Sequence, residues 1–357
     1  MRVITILGTR PEIIRLSRIM PLLDKNCEHT IVHTTQNYDF RLNEIFFEQM
    51  RLRKPDIMLG AVSSSFGGQI AIMMKKIESV FKKVKPDKVV ILGDTNSGLC
   101  SIIAERMGIP VFHLEAGNRC FDKEVPEEVN RRLIDSISSY NLPYTPGSRE
   151  NLLNDGVSKN KIFTSGNPIR EVMEHYNCEI QCSDIRNIFN LEKNKYFVAT
   201  FHRAEAVDNK KRLKEIVQGI INIEKRYNMP VICSIHPRTR QKLDRLKIEI
   251  NDNIKFLQPL GFYDFVKLEQ DALCVLTDSG TVSEETCILD TPCVVIRNTT
   301  ERPEILECGS AFLSGIDSDK IEEGVELMMH RHGWDLPIGY GEIDVSDKVV
   351  QFILGRS

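Results

Sequence analysis

The ten cysteines include no C-x-x-C pair, and no G-x-G-x-x-G occurs anywhere in the chain. The first absence argues for reduced, mostly buried thiols rather than a disulfide framework or zinc ribbon. The second removes the usual fingerprint of a dinucleotide redox enzyme. One cluster, "HYNCEIQC", brings His175, Cys178 and Cys182 within reach of a metal, but no fourth ligand follows, and a plain surface segment is the expected reading. Long apolar runs are missing too: none approaches the ~18 residues that a membrane span requires. The opening "MRVITILGTRPE" enters a strand directly, without a basic-then-apolar leader, so a cytoplasmic protein with no membrane partner is expected. An excess of either charge is also lacking: 47 Lys and Arg stand against 50 Asp and Glu. With no basic stripe, a nucleic-acid partner is not expected. There is no internal repeat or low-complexity segment to suggest a solenoid or disordered arm.

What is present is a rhythm. At 357 residues the chain is long for a single core. Short β-branched runs alternate with longer amphipathic segments: "RVITILG", "HTIVHT", "KVVILGD" and "PVFHLEAG", then "YFVATFH", "PVICSIH", "ALCVLTD" and "PCVVIR". This pattern predicts α/β architecture with parallel βαβ units. Several runs end in Gly, Asp, His or Ser, where open parallel sheets place their ligands. "SGNPIREVM" interrupts the periodicity, dividing an N-terminal domain over 1–167 from a C-terminal domain over 168–341. The amphipathic end, about 342–357, is expected to fold back on the first domain.

Four stretches carry candidate chemistry. In "ILGTRPEIIRL", Pro11 suits the first position of a helix, and Arg10 can clamp a phosphate beside that helix's positive end; a capped turn is the simpler reading. In "VVILGDTNSG", Asp94 either serves a cap at Thr95 or faces a ligand from a switch-point loop. His202 and His236 end successive strands of the second half, each with arginine close behind, which suggests an anion-facing site. In "LTDSGTVSEETCILDTPCVVIRNTTERPE", Ser279 and Gly280 leave room for backbone amides to approach a pyrophosphate at a helix N-terminus. Glu285, about a turn in, can hydrogen-bond a ribose, whereas Glu284 and Glu285 could instead merely complement the helix dipole.

The stretch "HLEAGNRCFDKEVPEEVNRRLID" gathers acids around Glu115, Glu127 and Glu128. A helix starting at Pro126 would bury Val129, Leu133 and Ile137 and pair Glu127 with Arg131 and Glu128 with Arg132. Such pairs alone would account for both glutamates.

Taken together, "GTRPE" (8–12), "GDT" (93–95), "EAG" (115–117), "PEE" (126–128), "HR" (202–203), "DSG" (278–280), "EE" (284–285) and "TTERPE" (299–304) resemble, in order and spacing, the non-hydrolysing UDP-N-acetylglucosamine 2-epimerase family. The resemblance implies two Rossmann-like domains facing across a cleft in the glycosyltransferase-B arrangement, usually as a homodimer. It implies UDP on the second domain, with diphosphate at Ser279 and Gly280, ribose at Glu285, and Arg10, Arg15 and His236 at substrate-binding positions. It implies Asp94, Glu115, Glu127 and His202 as acid–base residues. UDP is eliminated to a 2-acetamidoglycal and re-added after protonation of C2 from the other face, with no cofactor and no metal. Glu128 is then structural.

Two departures point to a branch. Arg15 stands where lysine is common, and "HTTQNYDFRLNEIFF" (33–47) lacks the pattern expected of an allosteric UDP-sugar site. With "GNRCF", these resemble the branch acting on UDP-2-acetamido-2,6-dideoxy-L-hexoses, of L-talose to L-fucosamine or L-rhamnosamine to L-quinovosamine type, for surface polysaccharide synthesis. The alternatives are the UDP-N-acetylglucosamine/UDP-N-acetylmannosamine pair, a glycosyltransferase of the same architecture, and a nucleotide-sugar sensor. Deuterium uptake at C2 separates epimerisation from acceptor-dependent transfer, and a sensor would tolerate loss of His202.

Overall fold

The structure, a computed structural model, describes residues 1–35, 41–246 and 248–356, with the backbone alone at 41–43 and 204. The chain divides into two compact units, Met1–Glu174 with Ile338–Ser357, and His175–Pro337. In the first unit the strands are β1 (Arg2–Leu7), β2 (Glu28–His33), β3 (Ile57–Met58), β4 (Lys88–Leu92), β5 (Val111–Leu114) and β6 (Tyr140–Leu142), ordered β3-β2-β1-β4-β5-β6. In the second they are β7 (Phe197–Thr200), β8 (Val231–Ser234), β9 (Ile254–Leu257), β10 (Cys274–Thr277), β11 (Cys293–Val295) and β12 (Ala311–Leu313), ordered β12-β11-β10-β7-β8-β9. Every pairing is parallel.

Read from β9, the second sheet repeats the order of the first, and both have the doubly wound Rossmann-like topology. The duplication is topological and leaves no mark in the residues. Each sheet reverses its winding between its first and fourth strands, β1 and β4 in one unit, β7 and β10 in the other. That is where a crevice for ligand opens beyond the strand ends.

Helices cover both faces, so strands such as β4 are buried along their whole length and read as continuous apolar runs. In the first unit, Met73, Ile77 and Phe81 of the helix Phe66–Val84 pack with Ile4, Ile6, Val89 and Ile91. In the second, Leu213, Ile216 and Ile220 of the helix Lys210–Tyr227 cover Phe197, Ala199 and Leu276. The helix Val345–Gly355 packs on the helix Ile19–Asn26, and buried Lys88 donates to the Ile353 carbonyl at 2.6 Å and to that of Arg356. No helix among the described residues is long and apolar enough to cross a membrane.

The expected apolar stripe after Pro126 is not the buried one. The helix Pro126–Ile137 leaves Val129 60% and Leu133 40% exposed, and buries Glu128, Asn130, Arg131, Ile134 and Asp135 instead. Its inward face is a set of ion pairs and amides, and these satisfy one another well enough to displace the apolar side chains outward.

Close packing beyond β5 explains one glycine. Gly117 has φ +84°, and a Cβ there would lie 2.1 Å from the Ser148 carbonyl oxygen. Gly117→Ala is therefore expected to destabilise the first unit by about 2–5 kcal/mol, combining left-handed strain with a backbone clash. Gly156→Ala shares the strain, at φ +86°, without any neighbour within 4 Å. It should cost only about 1–2 kcal/mol in chemical denaturation followed by circular dichroism.

Candidate active site

In the first unit, Glu12 organises the ends of β1 and β4. The helix Arg10–Leu16 starts with Pro11 in its first turn and Thr9 as its cap. Glu12 Oε2 accepts from the Gly8 and Thr9 amides at 2.9 and 2.7 Å and from the Thr9 hydroxyl at 2.8 Å. Its Oε1 accepts from Thr95 at 3.1 Å and Ser97 at 2.5 Å. Burial pushes the Glu12 carboxyl up, against the pull of these donors. Thr95 precedes the 3-10 turn Asn96–Cys100, but its hydroxyl makes no capping bond there and instead meets Glu12 and the Ser97 hydroxyl. Arg10 lies over the Phe46 ring at 5.9 Å, with burial lowering its pKa.

Asp94 is not a cap. Arg131 Nε and Nη2 converge on its Oδ2 at 2.9 and 2.7 Å, and its carbonyl accepts from Asn130 at 3.0 Å. Arg131 also reaches Glu128 at 3.2 Å. Glu128 further accepts from Arg132 at 3.1 Å, the expected i,i+4 pair, and from the Cys120 amide at 3.1 Å. Burial opposes its charge, yet these donors hold the Glu128 carboxyl below the usual range. Glu127 is half-buried on the same helix.

Glu115 follows β5 with φ +64°, a left-handed conformation costly for a residue with a side chain and frequent at functional sites. Its carboxylate rests against Gly93, itself at φ +71°, where a Cβ would come within 3.5 Å of Glu115 Oε2. Arg15 Nη1 donates to that oxygen, and the Arg15 guanidinium lies over the Tyr144 ring at 5.7 Å. Arg15 thus meets Glu115, a contact that its position in the sequence did not suggest. "GNRCF" is largely structural: Arg119 binds Asp155 at 2.8 Å and Asp135 at 2.7 Å, and only Phe121 is strongly exposed. Within the segment 33–47, residues 36–40 lie outside the described residues.

In the second unit, β7 and β8 are neighbours, so His202 and His236 follow adjacent strand ends. Buried Asp278 joins the ends of β7 and β10, accepting the His202 and Arg203 amides at 2.8 Å each, with the His202 Nδ1 3.4 Å from its other oxygen. His202 remains 44% exposed. His236 is exposed and accepts from the Arg238 amide through Nδ1 at 3.2 Å.

Ser279 caps the helix Gly280–Ile288 in extended conformation. A Cβ on Gly280 would sit 2.8 Å from Glu301 Oε1, so this glycine leaves room for a carboxylate. Glu301 is held by Arg203 at 3.0 Å and Arg297 at 2.7 Å. Glu284 is no dipole ornament: Arg302 Nε donates to it in a buried ion pair. Glu285 is buried beside Glu269, whose carboxyl is pushed well above its ordinary range by burial and then by the Glu285 charge.

Sequence reasoning therefore missed the supporting roles of Glu12, Glu301 and Arg302 and the pairing of Arg131 with Asp94. The signal for Glu12 was present: acid three residues after Thr9 is a capping box. All ten cysteines are free, Cys178 and Cys182 exposed, and no group of three or more His, Cys, Asp or Glu among the described residues could hold a metal.

Comparison with known proteins identifies the family. Residues 22–354 match the family model described as UDP-N-acetylglucosamine 2-epimerase. A UDP-N-acetylglucosamine 2-epimerase from Methanocaldococcus jannaschii is 43% identical, covering 96% of both chains. A UDP-2,3-diacetamido-2,3-dideoxy-D-glucuronate 2-epimerase from Pseudomonas aeruginosa is 33% identical over 99% of both. The crystal structure of the Methanocaldococcus jannaschii UDP-GlcNAc 2-epimerase in complex with UDP-GlcNAc and UDP superposes with a TM-score of 0.94 at 41% identity, covering 100% of each chain. The chain belongs to the UDP-N-acetylglucosamine 2-epimerase family, and is a non-hydrolysing isomerase of UDP-sugars.

Proposed function

We propose that the protein interconverts UDP-N-acetylglucosamine and UDP-N-acetylmannosamine for a surface glycan. A carboxylate takes the C2 proton while the C1–O bond breaks and UDP leaves with its electron pair, giving the 2-acetamidoglycal. A second group protonates C2 on the opposite face, and the UDP oxygen re-forms the bond to C1. No electrons are gained or lost overall. Asp94, Glu115, Glu127 and His202 are the acid–base candidates. Ser279, Gly280, Glu285, His236 and Arg10 are the UDP-binding candidates, and Arg15 is assigned to Glu115.

One observation carries this reading. Asp94 and Glu115 stand just beyond the ends of adjacent strands, each carboxylate held by a buried arginine. Such pairing favours ionised carboxylates, which a proton abstraction next to an acetamido group needs. The choice of sugar pair rests on relatives of 41–43% identity that are named for UDP-N-acetylglucosamine.

A second reading, a UDP-2-acetamido-2,6-dideoxy-L-hexose pair, is favoured by Arg15 in place of lysine. The Pseudomonas aeruginosa relative, named for another UDP-2-acetamido sugar, shows that the family is not confined to one. Incubation with each UDP-sugar in D2O decides between them. Deuterium at C2 of the glucosamine compound, with the mannosamine epimer appearing, is the expected result. Label only in a 6-deoxy-L sugar would transfer the assignment to the second reading, and UDP release without label would remove both.

A further inference from the structure

His113 lies on β5, two residues before Glu115, with its imidazole wholly buried. Nε2 is 2.8 Å from the Gly93 carbonyl oxygen, which can only accept, so Nε2 carries a proton. Nδ1 is 2.9 Å from Asp135 Oδ1, equally buried. That contact is an ion-pair distance without hydrogen-bond alignment, and a neutral ring would leave an imidazole lone pair and a carboxylate charge close together in a buried site. Asp135 also faces Arg119 Nη1 at 2.7 Å and the Gly117 amide at 3.2 and 3.3 Å. These donors stabilise its ionised form and leave the proton on the ring.

The ring also has a particular place. Gly93 is the residue before Asp94, and Gly117 follows Glu115 by two. Both turns are left-handed, and strand pairing reaches them through the Gly93 and Glu115 amides, which donate to the Leu114 and Leu142 carbonyls at 2.9 and 3.1 Å. We propose that His113 is a buried imidazolium that acts as a positioning residue, clamping the turn that presents Asp94 to the turn that presents Glu115. It donates one N–H to the first turn and sets its charge against Asp135, which grips the second through the Gly117 amide. The charged groups around it are Asp135 and, through it, Arg119 and Asp155, together with Asp94 from the turn after β4.

The pH window follows from the directions of both shifts. Burial opposes the charge on His113, but Asp135 and the Gly93 carbonyl raise its pKa above the ordinary value. Its contribution is present below the ordinary imidazole pKa and is lost as pH rises through the raised one. Asp135 is held low despite burial, by His113 and then Arg119. Its contribution is lost only as pH falls through that lowered value. The clamp holds between the lowered Asp135 value and the raised His113 value, and yields as pH rises through the latter.

The functional half of this inference rests on the acid–base roles given to Asp94 and Glu115; the charge state does not. Long-range proton–nitrogen spectra of the full chain labelled with 15N-histidine read it directly, with His113→Gln identifying the resonance among eight histidines. Both ring nitrogens should be protonated at neutral pH. Asp135→Asn should return the ring to a neutral tautomer and lower kcat by about tenfold or more, with KM and UDP affinity changed less than about twofold. His113→Gln, whose amide still donates to Gly93, should give the same split if Asp135→Asn fails to fold. A neutral ring in the unmodified protein overturns the proposal. So does an unchanged kcat in both variants, or a parallel fall in kcat and UDP affinity, which would mark general loss of structure. If the epimerase reading itself fails, the unmodified protein exchanges no deuterium at C2 while the imidazolium signal persists.

Discussion

Glu115→Gln is expected to lower kcat by about 10²–10⁴-fold while leaving UDP affinity within about threefold. The amide keeps the size and one acceptor oxygen of the carboxylate but cannot take a proton from C2. UDP binding is assigned to residues of the second unit and to Arg10, none of them beyond β5, so it should be insensitive to a change there. The substitution also removes the anionic partner of Arg15, a guanidinium 1% exposed, so some stability is lost as well. Measuring kcat and UDP affinity on protein verified as folded separates these effects. Retention of more than about a tenth of wild-type kcat would exclude Glu115 as the proton-transfer group. A parallel collapse of UDP affinity would instead mean that Glu115 holds the fold.

Glu284→Ala should be the most damaging single change to stability. Glu284 and Arg302 are 1% and 4% exposed, and their ion pair links the helix Gly280–Ile288 to the residues just before the helix Pro303–Glu307. Removing the carboxylate takes the anionic partner at Nε away from a buried guanidinium, at a cost of about 3–5 kcal/mol. The single tryptophan is placed to report it: Trp334 donates its indole N–H to the Cys287 carbonyl, on the same helix as Glu284, at 2.9 Å. A fall of about 2 M in the urea midpoint of tryptophan fluorescence is expected, given a slope near 2 kcal/mol/M. Glu284→Gln retains an acceptor for Arg302 and should cost less. A shift below about 0.5 M for the alanine variant would show that Arg302 finds another partner.

How far the sequence reveals this protein depends on whether a feature is local. The eight long β-branched runs were legible because burial on both faces forces continuous apolar segments. β3, β6 and β12, two or three residues each, carry too little pattern to stand out, and "IKFL" at β9 mixes lysine into its short run. The candidate carboxylates beyond the strand ends could be picked out, since strand ends are where a parallel sheet offers ligand sites. Their partners could not. Glu12 reaches Ser97 across 85 positions and Arg203 reaches Glu301 across 98, and no periodicity encodes such pairs. The helix Pro126–Ile137 shows the same limit from the other side. Its apolar spacing suggested one buried face, but the long-range pairs of Arg131 and Asp135 determined another.

The helix Val345–Gly355 and the two carbonyls gripping Lys88 bear on how the protein is made. The second unit is continuous in the chain, over His175–Pro337, whereas the first closes only with residues 338 onward. During synthesis the later half can therefore complete its core before the earlier half has received the helix Val345–Gly355. Until then Lys88, in a middle strand of the nascent first sheet, waits for acceptors 265 and 268 residues further along the chain.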